Sequence, residues 1–250
     1  MSGRKYGFFG DYGSWREAVE DSTGYDNPVI LEKVKNAILK VKSGEAVYER
    51  DSVLFDKIEY SYPLLTYLLY IASANGNKLN VMDFGGSLGS SYFQCRNFMN
   101  HFSQLKWNIV EQEHFVDCGR ELFQDDVLKF YDRIEECCNI ESPDVILLSG
   151  VLQCLESPYE VLSEMMDYGF KYMVFDRMFF IDQPDRITVQ IVPPEIFEAS
   201  YPIWFFNYNR FHSFINGRYE LIDETDSFEK IQLEDGVQSK SKAMLLRKLS

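Results

Sequence analysis

Residues Leu79 to Gln94 read LNVMDFGGSLGSSYFQ, and this stretch limits the possible fold more than any other. Leu79 to Phe84 is a short apolar run, the length of a buried strand, carrying one acid at Asp83. Gly85, Gly86 and Gly89 predict a tight turn, and a helix is predicted from near Leu88 toward Met99. Strand, glycine turn, helix is how an α/β sheet presents backbone N–H groups to a nucleotide-like ligand. A dinucleotide fingerprint needs Gly-x-Gly-x-x-Gly. Its first glycine would fall on Phe84, so that version is excluded. A P-loop needs Gly-Lys-Ser/Thr, and the stretch has no lysine. What remains is Asp-x-Gly-x-x-x-Gly, from Asp83 to Gly89.

The flanking sequence supplies the rest of a sheet. Leu105 to Val110 reads as a second strand ending in Glu111 and Gln112, and an acid at that tip accepts hydrogen bonds from ribose hydroxyls in doubly wound folds. A helix over His114 to Phe123 leads to a short third strand, Val127 to Tyr131, with Asp132 at its end. Val145 to Leu148 is a strong fourth strand ending in Ser149-Gly150. A fifth, Tyr172 to Phe175, ends in Asp176-Arg177. From Met178 to Phe206 the chain turns aromatic, which suggests an insertion over the strand tips at about 177–207. A helix over Tyr208 to Ile215 precedes strands at Tyr219 to Ile222 and Ala243 to Leu246, with a polar loop, Glu224 to Lys242, between them. Ahead of the sheet, Ser14 and Glu17 form a capping box for a helix Trp15 to Glu20. Pro28 opens a second helix ending near Gly44, and Ser61 to Ala74 is an apolar helix suited to packing on a sheet. The expected architecture is α/β and Rossmann-like. It has a seven-stranded, mostly parallel sheet, a late antiparallel hairpin and an N-terminal helical, aromatic extension over 1–60. Tyr6, Phe8, Phe9, Tyr12, Trp15 and Tyr25 pack that extension or line an entrance.

Composition narrows the function classes. The chain of 250 residues carries a net charge of −14, which argues against broad nucleic-acid binding. Its five cysteines match neither a zinc spacing nor a disulfide framework, so buried free thiols and no metal are expected. Met1 to Asp11 lacks the apolar core of a signal peptide, and Tyr62 to Ala72 is too short to span a bilayer. A cytoplasmic protein without a membrane span is the expectation.

Asp83 to Gly89 resembles motif I of the class I S-adenosylmethionine-dependent methyltransferases. PDVILLSGVLQCLESPYEVL resembles the fourth strand and following turn of that family. DFGGSLGSSYFQ, VEQ, SGVLQCLESP, FDRMFF, RITVQIVP and the early GSWREAV and STGYDNP together resemble a family of bacterial methyltransferases commonly associated with surface-polysaccharide biosynthesis. The resemblance covers most of the chain. It implies S-adenosyl-L-methionine as cofactor, held by Asp83, Gly85, Gly86, Ser87, Gly89, Glu111, Gln112, Asp132 and Ser149. It also implies a small-molecule or saccharide acceptor. Methyl transfer requires alignment and, for an oxygen acceptor, a base. The candidates for that base are Asp176, at a strand tip, His212 and Glu195. Gln153, Arg177, Gln190 and Trp204 are expected to contact the acceptor. A catalytically degenerate cofactor-binding scaffold is the alternative. A nicotinamide oxidoreductase is disfavoured by the missing first glycine.

Overall fold

The fold was derived from a computed structural model, which describes residues 6–24, 28–50, 53–55, 57–194, 196 and 198–249. Glu195 and Tyr25 lie outside the described residues.

The N-terminal segment begins with strand β1 (Gly7–Tyr12) and helix α1 (Trp15–Glu20). Ser14 caps α1, accepting from the Glu17 N–H at 3.3 Å, while the Glu17 carboxylate accepts from the N–H of Gly13. Helix α2 (Pro28–Ser43) and a small hairpin, β2 (Tyr48–Arg50) with β3 (Val53–Phe55), lead to α3 (Tyr62–Ala74). The central unit then alternates strand and helix. It runs β4 (Lys78–Phe84), α4 (Ser90–Met99), β5 (Gln104–Val110), α5 (Glu113–Leu122), β6 (Leu128–Tyr131), α6 (Ile134–Glu141), β7 (Val145–Ser149) and α7 (Pro158–Tyr168). After it come β8 (Tyr172–Ile181), β9 (Arg186–Ile191), β10 (Ser200–Asn207), α8 (Tyr208–Ile215), β11 (Tyr219–Gln232) and β12 (Gln238–Lys248).

Strands β6, β5, β4, β7 and β8 are neighbours in that order, all parallel. The order reverses between β4 and β7, where Val81 to Asp83 pair with Val145 to Leu147. That reversal opens a crevice at the strand ends. Alternation along β4 feeds two cores. Val81 points into the layer of α2 to α5 with Ile38, Leu68, Trp107 and Phe130. Met82 points into the layer of α6 to α8 with Ile146, Met165, Phe175 and Phe211.

Among the described residues the sheet has ten strands, against the expected seven. The difference lies beyond Phe175. Strand β8 continues through Arg177 to Ile181, and β12 follows it antiparallel along its length. The tip of β8 then pairs with β10, which pairs with β9, which pairs with β1. The aromatic stretch is therefore mainly paired strand, and the N-terminal extension supplies its edge. Phe8, Phe179 and Phe205 pack edge-on and stacked in its core. The buried Arg186 pins β1 through the Gly10 carbonyl at 2.7 Å and reaches Asp235 at 2.5 Å. The expected polar loop after Glu224 is also mostly strand. Its backbone pairs with β12, and Lys242 meets Glu224 and Asp226 across the ladder at 2.8 Å each. Cross-strand charge pairs help hold this polar ribbon, and Ile231, Leu233 and Val237 anchor its far end on Phe179 and Phe205. Among the described residues no helix is long and apolar enough to cross a membrane.

Candidate active site

The crevice at the strand tips is a cavity of about 1070 Å³. Pockets for a single small ligand run roughly 300–1,000 Å³, so this one has room for two. Its floor is the turn after β4. Gly85 has φ +68°, and a β-carbon there would lie 2.3 Å from a Val151 methyl. At Gly86 a β-carbon would lie 2.6 Å from the Asp83 carboxyl carbon. Both glycines are therefore demanded by the protein's own packing. Gly89 shapes the turn as the residue before α4 but is not on the cavity wall. Ser87, at φ 53°, is among the described residues one of two non-glycine wall residues held in the left-handed region. The other is Arg177, at φ 55° beside the tip of β7. Such residues cost roughly 1–3 kcal/mol and gather at functional sites.

Asp83 is fully buried behind the turn and accepts from the Trp107 indole N–H at 3.0 Å. Burial pushes its carboxyl up to about 7. The indole hydrogen bond and Arg177 oppose the rise, and Glu111 adds to it. Asp83 therefore acts chiefly on the turn, as a buried brace, although it also reaches the cavity wall. Glu111 stands at the tip of β5 and accepts from the Gln112 N–H at 2.6 Å. Burial raises its carboxyl, while the Gln112 and Ser87 N–H groups hold it down. Gln112 and Asp132 also line the cavity, and Asp132 pairs with Arg120 at 3.1 Å.

Across the crevice, Asp176 ends the stretch of β8 that pairs with β7. It is buried and accepts from Ser61 Oγ at 3.0 Å and Ser149 Oγ at 3.2 Å. Burial raises its carboxyl, opposed first by Arg177 and then by the two hydroxyls. Gln153 follows on the single helical turn after β7 and donates Nε2–H to the Arg177 carbonyl at 2.9 Å. Gln190 reaches the cavity from β9.

Two expected site residues stand elsewhere. His212 is not on the cavity wall. Its Nε2 is 3.0 Å from Glu224, and its ring packs on Tyr208, because α8 turns that face toward β11. Trp204 is also off the wall. It stacks on Trp15, which does line the cavity, and donates Nε1–H to the Leu155 carbonyl at 3.0 Å. Trp204 braces the wall from behind.

Several wall residues carried no signal in sequence. Ser61 was read only as the first residue of the apolar helix before the sheet, yet it holds Asp176. Glu49, 1% exposed on the small hairpin, accepts from the Ser90 hydroxyl at the start of α4. Gln94, one turn further on, donates to Tyr48 Oη at 2.9 Å and to the Glu59 carbonyl. The hairpin thus closes one side of the cavity through contacts that no local pattern announces. Among the described residues no group of three or more His, Cys, Asp or Glu could hold a metal ion.

Neither a protein-family model nor a curated protein matches the sequence. Solved structures do. The N-terminal domain of EvdMO1, determined in the presence of SAH and D-fucose, superposes with a TM-score of 0.52 at 10% identity, covering 87% of this chain and 97% of that one. The same domain with SAH bound gives 0.52 at 9% identity and the same coverage. The Burkholderia thailandensis 1,6-didemethyltoxoflavin-N1-methyltransferase, with its namesake compound and S-adenosylhomocysteine bound, gives 0.49 at 11% identity, covering 97% and 93%. The chain has a Rossmann-like methyltransferase fold.

Proposed function

We propose that this protein is an S-adenosylmethionine-dependent methyltransferase, a one-carbon transferase. The observation that carries the reading is the meeting of the Gly85–Gly86 turn, Glu111 and Asp176 on one cavity at the point where strand order reverses. The EvdMO1 domain of the same fold is a structure with SAH bound, and this lends support. The wall also fits the cofactor. A carboxylate at the tip of β5 suits a ribose diol, and the close turn after β4 leaves backbone within reach of a ligand. Gly85, Gly86, Ser87, Glu111, Gln112, Asp132 and Ser149 would hold it, with Gly89 and Asp83 shaping the turn.

When bound, S-adenosylmethionine supplies an electrophilic methyl group on a sulfonium. The chain's own work is to position the acceptor, exclude water and receive a proton. Asp176 is the candidate for the last task. Its carboxyl is raised by burial yet held by two hydroxyl donors, which suits a base working near neutral pH. The acceptor lies toward β9 and β10, with Arg177, Gln153 and Gln190 as polar contacts. It is a small molecule or saccharide. The resemblance to surface-polysaccharide methyltransferases is the support for a saccharide.

Titration calorimetry with S-adenosylmethionine tests the cofactor. Incubation with labelled S-adenosylmethionine and fractions of the host's polysaccharide intermediates tests turnover through labelled product. Binding without product over a broad acceptor panel would favour a scaffold role. No binding at all would end the methyltransferase reading.

A further inference from the structure

Arg177 is held in an unusual place. Its backbone has φ 55° directly after Asp176, and its carbonyl accepts from Gln153 Nε2 at 2.9 Å. A non-glycine residue persists in that conformation only where its surroundings over-determine it. Its guanidinium lies across Gly150. A β-carbon there would be 3.1 Å from Nη2 and 3.5 Å from both Cζ and Nε, so the glycine is the seat of the group.

That seat is the tip of the middle strand of three. On one side of β7, Asp83 of β4 pairs with Leu147. On the other, Asp176 of β8 pairs with Ser149, and the Gly150 N–H donates to the Asp176 carbonyl at 2.9 Å. A guanidinium seated over Gly150 therefore stands between two buried carboxyls, on the wall of the cavity.

The chemistry needs a charge there. The acceptor's oxygen or nitrogen gains the methyl carbon, the carbon–sulfur electron pair stays on sulfur, and the displaced proton goes to Asp176. Asp176 can receive it only as a carboxylate, and a buried carboxylate needs a countercharge or donors. Arg177 leads the groups that oppose burial at Asp176, ahead of Ser61 and Ser149, and its own N–H adds to them. Among the described residues, Tyr67 of α3 and Cys95 of α4 also sense Asp176. Burial pushes both up, Cys95 to about 12, so they stay neutral near pH 7.

We propose that Arg177 is a positioning residue for methyl transfer: its guanidinium, seated over Gly150, is the countercharge for the Asp176 carboxylate. This rests on the methyltransferase reading and adds to it a residue that acts through the base.

The test is carbon-13 carboxyl NMR of the ligand-free protein across pH, with the Asp176 signal assigned by its loss in Asp176→Asn. Arg177→Asn removes the charge with a side chain that tolerates the left-handed backbone. It should raise the Asp176 midpoint by about one to three pH units. Arg177→Lys keeps the charge and should stay near wild type. If Arg177→Asn does not fold, Gly150→Ala, which pushes the guanidinium off its seat, should move the midpoint in the same direction. An unmoved midpoint, or Arg177→Lys moving as far as Arg177→Asn, overturns the proposal. Turnover is then followed against pH with labelled S-adenosylmethionine and the host fraction that the wild type labels. The acid limb of kcat should rise with the midpoint in Arg177→Asn, losing about tenfold per unit below it and recovering above it. A raised KM with an unmoved limb makes Arg177 an acceptor contact only and overturns its role through Asp176. If the wild type labels no fraction, that counts against the methyltransferase reading, and the midpoint alone decides whether Arg177 is the countercharge.

Discussion

The two sides of the cavity are built on opposite plans. On one side, parallel strands β4, β5 and β7 each end in a tight turn with a polar or acidic tip: Asp83 before the glycines, Glu111, Ser149. On the other, β10, β9 and β1 run antiparallel and present aromatic and branched side chains. A parallel strand must send its chain away through a helix, so every tip is a fresh turn and a chance to place a polar group. An antiparallel platform presents flat faces of side chains and little free backbone. The first plan suits a ligand recognised by hydrogen bonds. The second suits one recognised by shape and surface. The difference teaches that cofactor and acceptor recognition can fail separately.

The largest separation is expected at Asp176. Asp176→Asn keeps an acceptor for Ser61 and Ser149 but removes the base, so turnover should fall about 10²–10⁴-fold with S-adenosylmethionine affinity unchanged. Wild-type turnover in steady-state assays would remove Asp176 from the chemistry. Glu111→Ala tests the polar side alone. Losing hydrogen bonds to a charged group should cost roughly 1.5–3 kcal/mol of cofactor affinity. Calorimetry showing no change would leave the carboxylate without its assigned partner.

Asp83 sharpens the comparison through pH. Its carboxyl is pushed up to about 7 in the fold, against about 3.9 in an unfolded chain. Between those values the native state holds a proton that the unfolded chain has released, so stability falls as pH rises from about 4 to about 7. The raised carboxyls of Glu111 and Asp176 act in the same direction. Asp83→Asn keeps an acceptor for Trp107 and should flatten part of that slope in melting curves taken from pH 5 to 8. An unaltered slope would mean that Asp83 does not titrate in that window.

The smallest effect is expected behind the platform. Trp204→Phe removes one hydrogen bond to Leu155, worth about 1 kcal/mol of stability. Denaturant unfolding should register that loss while cofactor affinity stays constant. A cofactor affinity that falls with it would make the platform a lid over the cofactor rather than a wall for the acceptor.

What the sequence disclosed follows the same division. The central sheet was legible because each of its strands is a local apolar run closed by a turn, and Asp83, Glu111 and Asp176 stand at run ends that can be counted. The platform was not legible. Gly7 to Tyr12 pairs with Arg186 to Ile191, and Ser200 to Asn207 joins them, but none of these segments states its partner locally. β9 is buried over its first four residues, and β10 carries Pro202, so neither alternates cleanly. Trp204 and His212 were read as site residues because aromatic and basic side chains near a crevice invite it. Which face of a strand or helix turns toward the crevice is set by packing that only the assembled sheet decides. Gly85 shows the limit inside the motif itself. Its lack of a side chain suggested room for a ligand, whereas a β-carbon there would first collide with Val151.

The pairing of β1 with β9 also has a consequence for how the protein is made. Gly7 meets Ile191 across some 180 residues of chain. At about 5–20 residues per second, a ribosome takes roughly 10–40 seconds to deliver the partner strand. Over that interval the first strand and its phenylalanines wait unpaired while β4 to β7 emerge in order, each after β4 pairing with a strand already made. The nascent chain thus assembles its polar ledge early and seals its greasy wall late, so the growing polypeptide owns half a pocket before its first residues come home.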